Sequence, residues 1–398
     1  MANWLAQLAP VLEQRKALAA VRSRRASASA QGPEVVHAGR RLLNFSSNDY
    51  LGLAAHPRVI EAFTGAAAEH GVGSGASHLV VGHHQLHQQL EQRLAELTGR
   101  ERALVFSSGY MANLGVLQTL LGKGDTLFQD RLNHASLVDG GLACKAQQWR
   151  YRHKDMQHLE TLLQSRARGR AMIVTDGVFS MDGDLAPLAN IASLAERYAA
   201  VLMVDDAHGF GVLGDSGAGS AELAGLNAQQ LPILMGTLGK AMGVAGAFVA
   251  GSETLVETLL QTSRNYIYTT ALPPACAAAA LAALQVNASE PQRRAHLQAL
   301  VRYFQQACAA RGINVGSIEQ GLSPTPIQPL IVGSNSAALA LADYLYQRNI
   351  LVVAIRPPTV PPGSARLRIS FSASHTRAQV DQLLDVLQQG VLELGLAA

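Results

Sequence analysis

The chain has 398 residues, a nearly balanced charge of +3 from 32 Lys and Arg against 29 Asp and Glu, and three widely spaced cysteines, Cys144, Cys276 and Cys308. The length predicts about two domains with a large core. The charge balance, with no basic stripe interleaved with aromatics, argues against a nucleic-acid partner. The absence of a CxxC pair argues against a zinc or disulfide framework and for small core thiols in a reducing cytoplasm.

In chain order, the first segment is rich in Ala, Arg and Ser like a transit peptide, but Glu13 interrupts it. The spacing of Trp4, Leu5, Leu8, Val11 and Leu12 predicts an amphipathic helix packed on the body. This N-terminal arm (1–45) precedes a large α/β domain (46–285) and a smaller α+β domain (286–398). Within the large domain, helical patterns cover Val59–His70, Gln85–Leu97, Leu185–Tyr198 and Glu253–Gln261 and alternate with buried strands. Beyond Glu290-Pro291 follow a helix (Ala295–Ala310), a strand (Ile327–Val332), a helix (Ser336–Arg348), strands Leu351–Ile355 and Arg366–Ser370, and a last helix (Thr376–Leu392). The run Ile233–Gly251, 19 residues with one charge, is long enough for a membrane span. Its glycines and its central lysine fit a strand–turn–strand better, so no membrane partner is expected.

Several strand ends carry chemistry. Ala103–Phe106 reads as a strand running through Ser107-Ser108-Gly109 into a helical pattern. That geometry aims free backbone N–H groups at an anion such as a phosphate, although an ordinary serine N-cap looks the same. Ala171–Val174 is a second strand, ending in polar residues that include Ser180. Val201–Val204 is a third, with Asp205, Asp206 and His208 at its end, where open α/β sheets bind ligands. These three could serve a cofactor, a metal or only a turn. Thr237 and Lys240 follow an apolar run, and no acidic residue from Leu231 to Val249 pairs the amine. A desolvated lysine is a nucleophile suited to a Schiff base, whereas a lysine at a surface turn merely covers apolar atoms with its stem.

Competing motifs fail on context. Gly209–Gly214 satisfies GxGxxG, but polar residues separate it from the strand and no helical pattern follows. Gly239-Lys240 is not a P-loop, because Leu234 stands where glycine is needed and Ala241 replaces Ser or Thr. His83, His84 and His87 include an i, i+4 pair, but no HExxH glutamate accompanies them, and no metal is expected.

Five motifs in order, NFSSNDYLGL (44–53), DRLNHASLVDG (130–140), TDGVFSMDGD (175–184), VDDAHGFGVLG (204–214) and TLGKAMG (237–243), resemble the α-oxoamine synthases. These are pyridoxal 5′-phosphate (PLP) enzymes of the aspartate aminotransferase fold, type I, with a large, mostly parallel sheet domain and a smaller α+β C-terminal domain. The resemblance implies acyl transfer to an amino acid with loss of carbon dioxide, by a homodimer. It makes Lys240 the Schiff-base lysine, Asp205 the partner of the ring nitrogen, His134 the residue stacked on the ring and His208 the partner of the ring oxygen. Gly109, Tyr110, Ser180 and Thr237 would hold the cofactor, and Thr270 would reach the phosphate of the other subunit. Arg22, Arg356 and Thr359 would contact substrate.

The stretch 327–336 with 354–370 is most similar to the biotin-pathway branch of that family. That branch implies L-alanine and a pimeloyl thioester, on coenzyme A or an acyl carrier protein, as substrates. A glycine-using synthase, such as a 2-amino-3-ketobutyrate ligase, is the alternative. One departure stands out: Asp176 replaces the family's usual Glu.

Overall fold

In the computed structural model, residues 4–316 and 321–396 are described. The chain divides into two compact units, one of Met1–Asn48, Met181–Gly183 and Leu297–Ala398, the other of Asp49–Ser180 and Asp184–His296. Residues expected to form a separate N-terminal arm thus fold with the C-terminal residues, and the boundary expected at 285 falls at 296.

In the first unit, β1 (Glu34–His37) and β2 (Arg40–Asn44) pair as an antiparallel hairpin. The helix expected at the N-terminus forms, over Leu8–Ala17, but no residue of it is buried among the described residues. Trp4 is 66% exposed and Leu12 57%. Its apolar stripe lasts little more than one turn, too little area to anchor a helix against its loss of chain entropy.

The second unit is built on seven strands: β3 (Arg102–Phe106), β4 (Thr126–Asp130), β5 (Gln147–Tyr151), β6 (Ala171–Asp176), β7 (Val201–Asp205), β8 (Ile233–Thr237) and β9 (Ala247–Gly251). Their order is β3-β9-β8-β7-β6-β4-β5, with β9 antiparallel to both neighbours and every other pairing parallel. Strands β4, β6 and β9 are buried along their whole length. This is the near-continuous apolar pattern that a sheet covered on both faces demands. One cluster packs Phe106, Val116, Leu127 and Met235; another packs Phe128, Tyr151, Ile191 and Val204. The pairing directions put the carboxyl ends of β3, β4, β6, β7 and β8 on a single edge. Asp130, Asp176, Asp205 and Thr237 are the last residues of four of them. The run 233–251 is β8, a turn and β9, and no helix among the described residues is long and apolar enough to cross a membrane.

Returning to the first unit, β10 (Ile327–Gly333), β13 (Ala365–Ser370) and β12 (Val353–Ile355) form an antiparallel sheet in that order, while β11 (Ile350–Leu351) runs parallel to β2. The single strand expected over Leu351–Ile355 is therefore split. Its first half gives its backbone hydrogen bonds to one sheet and its second half to another, so the ladder breaks at the buried Val352.

Candidate active site

Two aspartates follow Val204, and their hydrogen bonds separate them. Asp205 accepts from Asn113 Nδ2 at 2.7 Å on one oxygen and from the Ala207 N–H at 3.0 Å on the other. Asn113 comes from the helix Gly109–Leu120 and is fully buried. Its Nδ2 also donates to Ser136 Oγ at 2.8 Å, and Ser136 Oγ stands 2.8 Å from His134 Nδ1. A buried chain thus links Asp205 to His134. Because the Ser136 N–H donates to His134 Nδ1, the ring proton belongs on Nε2. Desolvation holds the His134 imidazole below its ordinary value, and the Lys240 charge adds to this while Asp205 and Asp139 oppose it. His134 is therefore neutral at pH 7, on the open side of the site.

Asp206 faces a different neighbourhood. It accepts from the Ser220 N–H at 2.7 Å, and burial pushes its carboxyl up to about 7, with Asp205 adding to the rise. A Cβ at Gly209 or Gly219 would come within 2.2 or 1.9 Å of that carboxylate. Glycine is required there because Asp206 fills the turn. Of the two, it is Asp205 that is hydrogen-bonded to the Asn113 amide and through it to Ser136.

His208 is buried, and its Nδ1 bonds the hydroxyl of the fully buried Tyr50 at 2.7 Å. Lys240 lies on the turn between β8 and β9, half-buried rather than sealed in, and its charge reaches His134 and Asp176. The turn is tight: Gly243 has φ +69°, and a Cβ there would meet the Ala54 backbone nitrogen at 2.3 Å. Thr237 Oγ1 donates to the Gly246 carbonyl at 3.1 Å and accepts from the Gly239 N–H. At the start of helix Gly109–Leu120, Ser108 Oγ accepts from the Met111 N–H, leaving the N–H groups of Gly109 and Tyr110 as open donors. The Tyr110 hydroxyl donates to Asp139. Ser180 is half-buried in the loop after β6. Thr270 is exposed; its carbonyl receives Ser107 Oγ at 3.4 Å, and it bridges to Ser77.

Arg22, Arg356 and Thr359 belong to the other unit, where they line one cavity of about 610 Å³ with Arg25, His37 and Asp343. Arg22 donates to Thr359 Oγ1 at 3.2 Å. The Arg356 guanidinium already donates to the carbonyls of Ala19 and Val21. Its remaining N–H groups are what a carboxylate would find.

The histidines group differently from the expectation. His78, His83 and His87 each bring a ring nitrogen within 4.8 Å of the others, while His84 caps the helix Gln85–Thr98. His87 is spent on the backbone: Nδ1 accepts from the His84 N–H at 2.9 Å and Nε2 donates to the Leu272 carbonyl at 2.6 Å. Burial lowers His78 to about 3 and His87 to about 4, so both are neutral rings stapling this helix start.

Asn113, Ser136, Tyr50 and Asp139 were not singled out from sequence. Asn113 leaves a trace there as one of two amides, with Gln118, in an apolar helical run.

Residues 40–387 match the aminotransferase class I and II family. The chain belongs to that family. It is 56% identical to the 8-amino-7-oxononanoate synthase of Cellvibrio japonicus, covering 96% of this chain and 94% of that protein. Among solved structures it resembles SPT, in a form with a PLP internal aldimine, at 30% identity and a TM-score of 0.93, covering 98% of this chain and 99% of the other. It also resembles the 8-amino-7-oxononanoate synthase of Francisella tularensis at 33% identity and a TM-score of 0.76, covering 89% and 99%.

The residues present fit PLP. A buried, doubly bonded carboxylate suits a protonated ring nitrogen, the open donors of Gly109 and Tyr110 suit a phosphate, and Lys240 offers the amine.

Proposed function

We infer that this chain condenses L-alanine with a pimeloyl thioester, giving 8-amino-7-oxononanoate, carbon dioxide and the free thiol, with PLP as cofactor. The observation that carries this reading is the buried chain Asp205–Asn113–Ser136–His134 at the strand edge that also bears Lys240 and His208. Near-full-length identity of 56% to a synthase of this activity supports the substrate pair.

When bound, PLP supplies an electron sink for the carbanion at the alanine α-carbon. Asp205 holds the proton on the ring nitrogen, and Asn113 and Ala207 keep its charge in place. Lys240 Nζ would take the alanine α-proton as general base. His134, neutral and with its proton on Nε2, donates toward the thioester carbonyl oxygen as charge builds there. His208, fixed by Tyr50, would hold the cofactor at its ring oxygen. Gly109, Tyr110, Ser180 and Thr237 take the phosphate end, and Thr270 reaches a neighbouring subunit's phosphate in a homodimer. Arg356 takes the α-carboxylate with Thr359 beside it, and Arg22 takes the far end of the acyl chain.

We assign cofactor binding to the unit of Asp49–Ser180 and Asp184–His296. The thioester carrier is coenzyme A or an acyl carrier protein. A cytoplasmic location suits three free cysteines, two of them buried. The test is product mass from a panel of alanine, glycine and serine with pimeloyl and shorter thioesters. Turnover of glycine with a short acyl thioester, in preference to alanine with pimeloyl thioester, would overturn the reading.

A further inference from the structure

Asp176 and Asp205 are the last residues of neighbouring parallel strands and are partners in register. Adjacent strands lie about 5 Å apart. Two buried carboxylates that close cannot both stay ionised cheaply. Their hydrogen bonds decide which one holds the charge. Asp205 receives a donor on each oxygen. Among the described residues, the Asp176 carboxyl receives only the His134 N–H, at 3.1 Å on Oδ2, and its buried Oδ1 has no hydrogen-bond partner. A bare anionic oxygen in the interior is costly, whereas a protonated one is much less so.

The other groups facing Asp176 agree. Asp205 from β7 and Asp130 from β4 are negative. Lys240, from the turn after β8, is the opposing positive charge, but it stands half in solvent. Tyr151, from β5, is fully buried and uncharged.

We propose that Asp176 is a neutral carboxylic acid that positions His134 through its backbone N–H and leaves the negative charge of the Asp176–Asp205 pair on Asp205, beside Asn113. This rests on the reading of Asp205 as the ring-nitrogen partner. Burial first, and the Asp205 charge second, hold the Asp176 carboxyl well above the usual carboxylate range. The consequence falls on Lys240. A second anion would hold its amine protonated, and a protonated amine can neither attack nor accept a proton. Asp176 is thus a positioning residue, touching no reacting atom.

The experiment uses infrared difference spectra of cofactor-free protein, wild type minus Asp176→Asn, at pH 7. A protonated-carboxyl stretch lost in the Asn variant, and restored in Asp176→Glu, is the expected result. A difference showing only an ionised carboxylate overturns the proposal. Stability gives a second readout. An acid whose folded value is raised stabilises the fold below its unfolded value of 3.8 and loses that contribution as pH rises toward the folded value. The unfolding midpoint of Asp176→Asn should therefore gain on wild type steadily from pH 5 to pH 8. A constant gap, or a gap that closes, overturns the assignment. For positioning, Asp176→Ala lacks the acceptor for the His134 N–H, whereas Asp176→Asn keeps it. The Ala variant should lose at least ten times more kcat than the Asn variant at equal bound PLP. Equal losses remove the positioning role. A retained infrared band in protein that does not use alanine and pimeloyl thioester would sink the functional reading and leave this inference standing.

Discussion

At the sheet edge of one unit, the candidate catalytic side chains lean on buried neighbours: Asp205 on Asn113, His134 on Ser136, His208 on Tyr50. In the cavity of the other unit, the arginines lean on backbone carbonyls or on an exposed hydroxyl. The contrast follows from what each must do. A proton held at a ring nitrogen needs fixed dipoles in a dry place, since these cost no reorganisation during reaction. A substrate carboxylate arriving from water needs a cation that stays accessible and exchanges partners. Damage at the edge should therefore cost rate, and damage in the cavity should cost affinity.

The sharpest break in that comparison would come from Lys240. Its replacement by Ala should lower kcat by about 10³-fold or more, on the scale of a lost general base and nucleophile. Borohydride reduction of the wild type, followed by peptide mapping, should place PLP on Lys240; a label on another lysine ends the assignment. Next comes Asp205→Asn, which keeps the shape and loses the charge. A fall of about 10²–10³-fold in α-deuterium exchange from alanine is expected. Near-normal exchange would shift the role elsewhere, although Asp206, walled in by Gly209 and Gly219, has no path to take it up.

The cavity should respond differently. Arg356→Lys should cost about 1–3 kcal/mol in kcat/KM for alanine, the scale of a lost charge-assisted hydrogen bond. Arg22→Ala should raise KM for the thioester alone. A kcat loss in both with unchanged KM would erase the distinction between the two regions.

The smallest effect concerns support behind the edge. His153 bonds Asp130 and Asp184, each at 2.9 Å. Burial opposes its charge, but these two carboxylates override it and raise the imidazole to about 9. A raised folded value means its contribution is full below the unfolded value of 6.5 and is lost as pH rises through about 9. The wild type should lose a few degrees of Tm between pH 7 and pH 10. In His153→Gln that slope should flatten, as read by thermal unfolding at each pH.

Much of this molecule was legible in the order of its residues. Continuous apolar runs over 171–174 and 201–204 announce buried strands, and the polar residues just beyond them announce a site, because sheet ends are where backbone and ligand meet. The roles of Lys240 and His134 came from motif resemblance; composition alone left Lys240 at a turn. Tertiary structure decided what depends on partners distant in the chain. Asp205 and Asp206 are chemically equal neighbours, and only the Asn113 amide, 92 residues away from Asp205, against the Ser220 N–H distinguishes them. The helix at Leu8–Ala17 could be read from its spacing, but its lack of cover could not, since burial belongs to the pair of surfaces and not to one. The strand expected over Leu351–Ile355 was divided by two sheets competing for its backbone. Asp176, too, looks in the sequence like an ordinary ionised acid, and its protonation follows from where the register of β6 and β7 sets it. Local periodicity determines which elements form. Long-range hydrogen bonding and burial determine which charges survive inside them.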